Sequence, residues 1–192
     1  MSKINIKKTT LIGIHGPLES GKDYVAKTIM NLFPEKFKQY AFAWPIKEAC
    51  KIIFGFTDDE MNRRDLKEKI HPQWGITPRY AFQTLGTEWG RIIVRDDIWT
   101  KRAENEIEIN DVNCRGTIIS DVRFENEAEL IRRKYGQMII IKRPSLDTSQ
   151  SKYNHASEDG IEVRNGDIVI VNDGTLSQFR EKIIALFDLV HD

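Results

Sequence analysis

An α/β domain on a mostly parallel sheet is the fold this sequence predicts, and three features predict it. Short apolar runs alternate with amphipathic helical patterns along most of the chain, the order that builds crossover units with helices on both faces of a sheet. A glycine-spaced loop, Gly16-Pro17-Leu18-Glu19-Ser20-Gly21-Lys22-Asp23, joins the apolar run Leu11 to Ile14 to the first helical pattern. The closing unit runs from Ile168 to Val171, through Asn172-Asp173-Gly174, to Thr175-x-x-Gln178. It reads as strand, turn and helix with a capping box.

The elements follow in order. After the loop, Val25, Ile29, Leu32 and Phe33 recur at helical spacing until Pro34, which predicts a helix over 22–33. Gln39 to Ala43 reads as a short strand, and Pro45 then sits where proline is tolerated, in the first turn of a helix. Ile46, Ala49, Cys50, Ile53 and Phe54 give that helix one apolar face, and Gly55 ends it. Thr57 to Trp74 is charge-rich, opens with the capping box Thr57-x-x-Glu60, and predicts a short helix plus loop. Thr77-Pro78 starts a helix that Gly86-Thr87 interrupts or ends, and 96–109 is the next helix, with Trp99, Ala103 and Ile107 on one side. Thr117 to Ile119 is a strand, 126–135 a helix stopped by Gly136, and Met138 to Ile141 a strand. From Arg143 to Gly166 the chain is polar and unpatterned, as in a functional loop or lid. Leu176, Phe179, Ile183, Leu186, Phe187 and Val190 stripe the last helix.

Composition narrows the function. At 192 residues the chain is long enough for one domain with a substantial core. Lys plus Arg equal Asp plus Glu at 29 each, which argues against a broad footprint for a nucleic-acid polymer or an anionic membrane. No apolar stretch reaches the length of a membrane span and the first residues lack a signal-peptide apolar region, so the cytoplasm is the expected compartment. Cys50 and Cys114 lack metal or redox spacing, and His15, His71, His155 and His191 form no ligand cluster.

The chemistry centres on the loop. It matches the phosphate-binding pattern G-x-x-x-x-G-K-[ST] except at its last position, where Asp23 replaces the hydroxyl residue that usually ligates magnesium. Asp23 can hold the metal directly or through water, orient Ser20 or Lys22, or cap the helix. Lys22 is placed to reach the β- and γ-phosphates of a donor nucleotide. Ligands of such sheets bind at the carboxyl ends of the strands, which groups the loop with Phe42 to Lys47, Asp121 to Arg123 and Asn172 to Gly174. Asp121 stands where an acidic residue holds magnesium or its water shell, or where a carboxylate caps a helix. Arg123 suits a phosphate or a surface ion pair. Lys47 and Arg79 lie near helix starts, where a cation opposes the dipole and a bound anion relieves it. Gln83, Thr87, Trp89 and Trp99 offer amide, hydroxyl and aromatic surface for a base, the tryptophans being equally at home in a core.

The ordered set Ser20-Gly21-Lys22-Asp23, Pro45-Ile46-Lys47, Gln83-x-Leu85-Gly86-Thr87, Asp121-x-Arg123, Ile141-Lys142-Arg143-Pro144 and Asp167 to Gly174 resembles the bacteriophage deoxynucleoside monophosphate kinases over nearly the whole chain. The resemblance implies the nucleoside monophosphate kinase version of the P-loop NTPase fold as a single domain over 1–192. It also implies an acceptor-binding helical region over 45–110 and a lid over 143–166. It implies transfer of the γ-phosphoryl group of ATP to a deoxynucleoside monophosphate with Mg²⁺, in a homodimer. Carried over by position, Gly16, Ser20, Gly21, Lys22 and Asp23 hold the donor phosphates, and Asn172 and Gly174 lie beside its adenine. Lys47, Arg79, Gln83, Gly86, Thr87, Trp99 and Arg123 serve the acceptor, and Asp23 and Asp121 the metal. Lys22, Asp121, Arg123 and the lid arginine Arg143 form the catalytic group. The stretch from Thr57 to Trp74 is shorter than in larger relatives, so contacts made there do not carry over. Competing readings are a kinase similar to dephospho-coenzyme A kinase and an ATP-binding regulator that transfers nothing.

Overall fold

The computed structural model describes residues 3–113, 115–144 and 160–187. In chain order its first elements are β1 (Leu11–His15), α1 (Lys22–Leu32), β2 (Phe37–Tyr40), α2 (Ala43–Phe54), α3 (Asp58–Asn62), α4 (Arg64–Lys67) and α5 (Pro78–Gln83). A π-helix (Thr84–Val94) follows, then α6 (Ile98–Val112), β3 (Gly116–Val122), α7 (Glu125–Arg133), β4 (Gln137–Lys142), β5 (Ile168–Val171) and α8 (Leu176–Ile184). The chain forms two compact units, one of Met1–Ala41 with Glu104–Asp192 and one of Phe42–Ala103.

The first unit holds a five-stranded sheet in the order β2-β3-β1-β4-β5, and each neighbouring pair is parallel. Side chains alternate across a strand. Ile12 and Ile14 of β1 therefore join Val25, Ala26 and Ile29 of α1 and Phe179 and Ile183 of α8 in one core, whereas Gly13 faces α7, where an added Cβ would lie 2.2 Å from Ile131 Cδ1. The predicted apolar stripe of α8 holds at Phe179, Ile183, Leu186 and Phe187, but Leu176 is exposed because it opens the first turn; Val190 lies outside the described residues. The strand expected over 39–43 is β2, shifted earlier, because Gln39 and Tyr40 pair with Ile118 and Ile119 and the chain turns at Ala41 into α2.

Segment 160–167 is fastened to α7. Arg132 donates to Asp167 at 2.6 Å, to Glu125 at 2.8 Å and to the Glu162 carbonyl at 2.8 Å. Burial lowers the Arg132 pKa, but Asp167 and Glu125 outweigh it and hold the guanidinium above its ordinary range. The lid expected over 143–166 falls largely outside the described residues, its ends 143–144 and 160–166 excepted.

The second unit is helical. Thr57 and Glu60 form the capping box of α3, the Thr77 hydroxyl accepts from the Tyr80 N–H at the start of α5, and Gly55 ends α2 at φ 69°. Cys50, Phe56, Met61 and Ala81 form its buried centre, and burial pushes the Cys50 thiol up to about 11. Ile53, expected on the buried face of α2, is exposed. Gly86-Thr87 does not end the helix. The backbone widens there into a π-helix through Val94, with about 4.4 residues per turn in place of 3.6. Gly86, Gly90 and Arg91, four and five residues apart, thereby share the buried side of the helix, and an α-helical register would rotate Arg91 away from Gly86.

Candidate active site

The phosphate loop leaves the carboxyl end of β1, the central strand, and enters α1 at Gly21, whose φ of 105° favours glycine. Glu19 also has positive φ, 62°. Alternation of left- and right-handed backbone in such a loop makes a concavity of N–H groups suited to an anion. The loop is packed without slack. A Cβ at Gly16 would lie 2.6 Å from Ser20 Oγ and 2.9 Å from the Ile141 carbonyl, and one at Gly21 would lie 2.9 Å from the Phe179 ring. Ser20 is fully buried, yet its Oγ has no hydrogen-bond partner. A buried hydroxyl without a partner is costly, and a loop shaped for phosphate is where such a group is retained. Lys22 folds back, donating to the Pro17 carbonyl at 2.7 Å and to the Gly16 carbonyl. Asp23 is exposed in the first turn of α1, where a carboxylate complements the helix dipole.

Asp121 lies inside β3 and not after it, since the strand runs to Val122. Pairing shifts there: Gly13 stands opposite Ile119 but His15 opposite Val122, so β3 carries one extra residue at Ser120-Asp121. Such a bulge re-aims a side chain beside a site. His15 Nδ1 lies 2.9 Å from the Val122 carbonyl and braces the bulge. The following turn is held by Glu127, a buried carboxylate that accepts the N–H groups of Arg123 at 2.7 Å and Phe124 at 3.2 Å. Sequence reading missed Glu127. Its signal was an acidic residue at the third position of α7, the reciprocal half of a capping box.

Arg143, just past β4, donates to the Glu19 carbonyl at 2.7 Å. Asn172, just past β5, donates to the Ser20 carbonyl at 2.9 Å. Gly174 lines an open groove of about 530 Å³ with Asp173, Gln178, Glu181 and Lys182. Lys182 donates to Asp173 there and lowers the pKa of its carboxyl. The first unit thus brings Gly16, Ser20, Gly21, Lys22, Arg143 and Asn172 into one contact network, with Asp23, Asp121, Arg123 and Gly174 at the same carboxyl ends or the helix starts beside them.

The second unit carries Lys47, Arg79, Gln83, Gly86, Thr87 and Trp99. Lys47 donates to Asn62 at 2.9 Å, and Arg79 pairs with Glu68, a partner that sequence reading did not pick out. Gln83 and Thr87 are half-buried, Gly86 fully. Trp99 is 8% exposed, and its indole N–H is spent on the Gly86 carbonyl at 2.7 Å. It supports the π-helix from within the core, while Trp89 keeps an exposed ring.

A family model for deoxynucleotide monophosphate kinase matches residues 53–183, a span that begins after the phosphate loop and so is independent of it. The chain belongs to the deoxynucleotide monophosphate kinase family. A putative deoxynucleotide monophosphate kinase of Acanthamoeba polyphaga mimivirus is 32% identical, the match covering 93% of this chain and 96% of the relative. The deoxynucleoside-5'-monophosphate kinase of Escherichia phage T5 is 26% identical over 80% of this chain and 85% of its own. Among solved structures, the dephospho-CoA kinase from Campylobacter jejuni superposes with a TM-score of 0.50 over 93% of this chain and 95% of that one, at 12% identity, a likeness of fold alone. Among the described residues of this kinase, no helix is long and apolar enough to cross a membrane.

Proposed function

We propose that this kinase transfers the γ-phosphoryl group of ATP to a deoxynucleoside 5′-monophosphate, giving the diphosphate. The observation that carries this reading is the phosphate loop: a buried, unpartnered Ser20 hydroxyl and a Gly16 with no room for a side chain, in a member of this family.

ATP is the donor, and its phosphates lie along the loop amides and Lys22. The ammonium exchanges the neutral carbonyls of Gly16 and Pro17 for phosphate oxygens, a stronger charge-assisted contact. Its charge follows the migrating group. Mg²⁺, usually held by one or two carboxylates plus phosphate oxygens and water, fits the donor types of Asp23 and Asp121, and when bound it neutralises charge on the transferring phosphoryl group. The acceptor oxygen is already ionised, so no general base is required. Lys47, Arg79, Gln83, Gly86 and Thr87 receive the acceptor, with Trp99 as a support below them; Arg123 and Arg143 stabilise the migrating charge. A homodimer in the host cytoplasm completes the reading, and light scattering of the purified chain tests the dimer.

A coupled assay for ADP across deoxy- and ribonucleoside monophosphates tests the reaction. ADP formation that depends on a deoxynucleoside monophosphate supports it. ADP formation only with a pantetheine-bearing acceptor, or ATP binding without turnover, refutes it.

A further inference from the structure

In a trans peptide the carbonyl and the following N–H point in opposite directions, so a group that holds a loop carbonyl on one side presents the next amide on the other. Two side chains do this on consecutive peptides of the phosphate loop. Arg143 holds the Glu19 carbonyl, which turns the Ser20 N–H toward the Pro17 carbonyl, 3.2 Å away, and keeps Glu19 in its left-handed conformation. Asn172 holds the Ser20 carbonyl from 152 residues away, which turns the Gly21 N–H to the opposite side. The Asn172 amide also sits 3.2 Å from where a Gly21 Cβ would be, so it fills the space that glycine leaves.

We propose that Asn172, with Arg143, is a positioning residue: it sets the shape of the phosphate loop by holding its carbonyls outward, and so acts on the polyphosphate of the donor and not on its base. This rests on the kinase reading of the loop. It differs from a contact with adenine, because a base contact discriminates between purines whereas loop shape affects every polyphosphate alike. Asn172 is uncharged, so its removal changes no long-range attraction for the anion.

The test is equilibrium binding of inorganic tripolyphosphate, ATP and GTP in magnesium buffer to the full chain, as wild type, Asn172→Ala and Asn172→Leu. The leucine variant keeps side-chain volume and loses only the donor. Both variants are expected to bind all three ligands more weakly by a common factor of about ten, the worth of one lost hydrogen bond, with melting temperature and far-UV circular dichroism unchanged. In a double-mutant cycle, the losses from Asn172→Leu and Arg143→Met on tripolyphosphate are less than additive, since both hold one loop. Unchanged tripolyphosphate binding, a loss confined to ATP, or strictly additive losses overturn the proposal. Deoxynucleoside monophosphate turnover by the wild type judges the kinase reading separately. Absent turnover with the expected binding pattern sinks that reading and leaves this one standing.

Discussion

Replacing Gly90 by alanine sets two opposed effects against each other. Alanine favours a helix interior over glycine by about 1 kcal/mol, so local propensity alone predicts stabilisation. The structure predicts the reverse. The new methyl would stand 2.7 Å from Trp99 Cζ2 and 2.9 Å from both Cε2 and Nε1, closer than carbon atoms approach without displacement. The ring cannot swing aside cheaply, because it is buried and its N–H is bonded to the Gly86 carbonyl at 2.7 Å. Overpacking costs roughly 1–3 kcal/mol and loosening that hydrogen bond about 1 kcal/mol more. The balance is a net loss of about 1–2 kcal/mol, which for a chain of this size lowers Tm by roughly 3–6 °C. Differential scanning calorimetry reads it directly. In a Trp99→Leu background the same substitution loses its clash and becomes neutral or stabilising. A higher Tm for Gly90→Ala in the wild-type background refutes the packing of Trp99 against the π-helix. Gly86 and Thr87 lie on that helix, so the variant also raises KM for the deoxynucleoside monophosphate in the coupled assay.

Lys22→Ala lowers kcat by roughly two to three orders of magnitude while leaving Tm within about 1 °C, as for a surface substitution; near-normal turnover removes Lys22 from its role. Ser20→Ala deletes a buried hydroxyl without a partner, so calorimetry finds the free protein unchanged or more stable by up to about 1 kcal/mol, whereas KM for ATP rises; a stability loss above that size shows the hydroxyl to be structural. Arg132→Ala strands Asp167, whose side chain is 4% exposed, and costs about 3 kcal/mol in urea unfolding; an unchanged midpoint contradicts the clasp on α7. Cys50 has its folded pKa raised from 9.0 to about 11 by burial, so the folded chain keeps a proton that the unfolded chain loses. The stabilisation is complete below about pH 9 and fades as pH rises toward 11. In a Cys114→Ser background, urea unfolding at stepped pH shows this decline, and Cys50→Ala removes it; an identical decline in Cys50→Ala assigns it elsewhere.

The sequence by itself determined the alternation of strands and helices, the phosphate loop with its lysine, and the helix starts at Thr57, Thr77 and Thr175. Each of these is written within a few neighbouring residues, where apolar period, capping hydroxyls and glycine spacing act locally. The tertiary structure alone decided the π register of Thr84–Val94, the burial of Trp99 and Arg91, the bulge that places Asp121 within β3, and the partners Glu68, Glu127 and Asp167. Local signals at Gly86 permit either a helix stop or a wider helix, and the choice falls to the indole that packs on Gly90 from another element. Asn172 shows the same division most plainly. Its place after β5 was legible, but its hold on Ser20 joins residues 152 apart, a pairing that only strand order in a folded sheet can bring about.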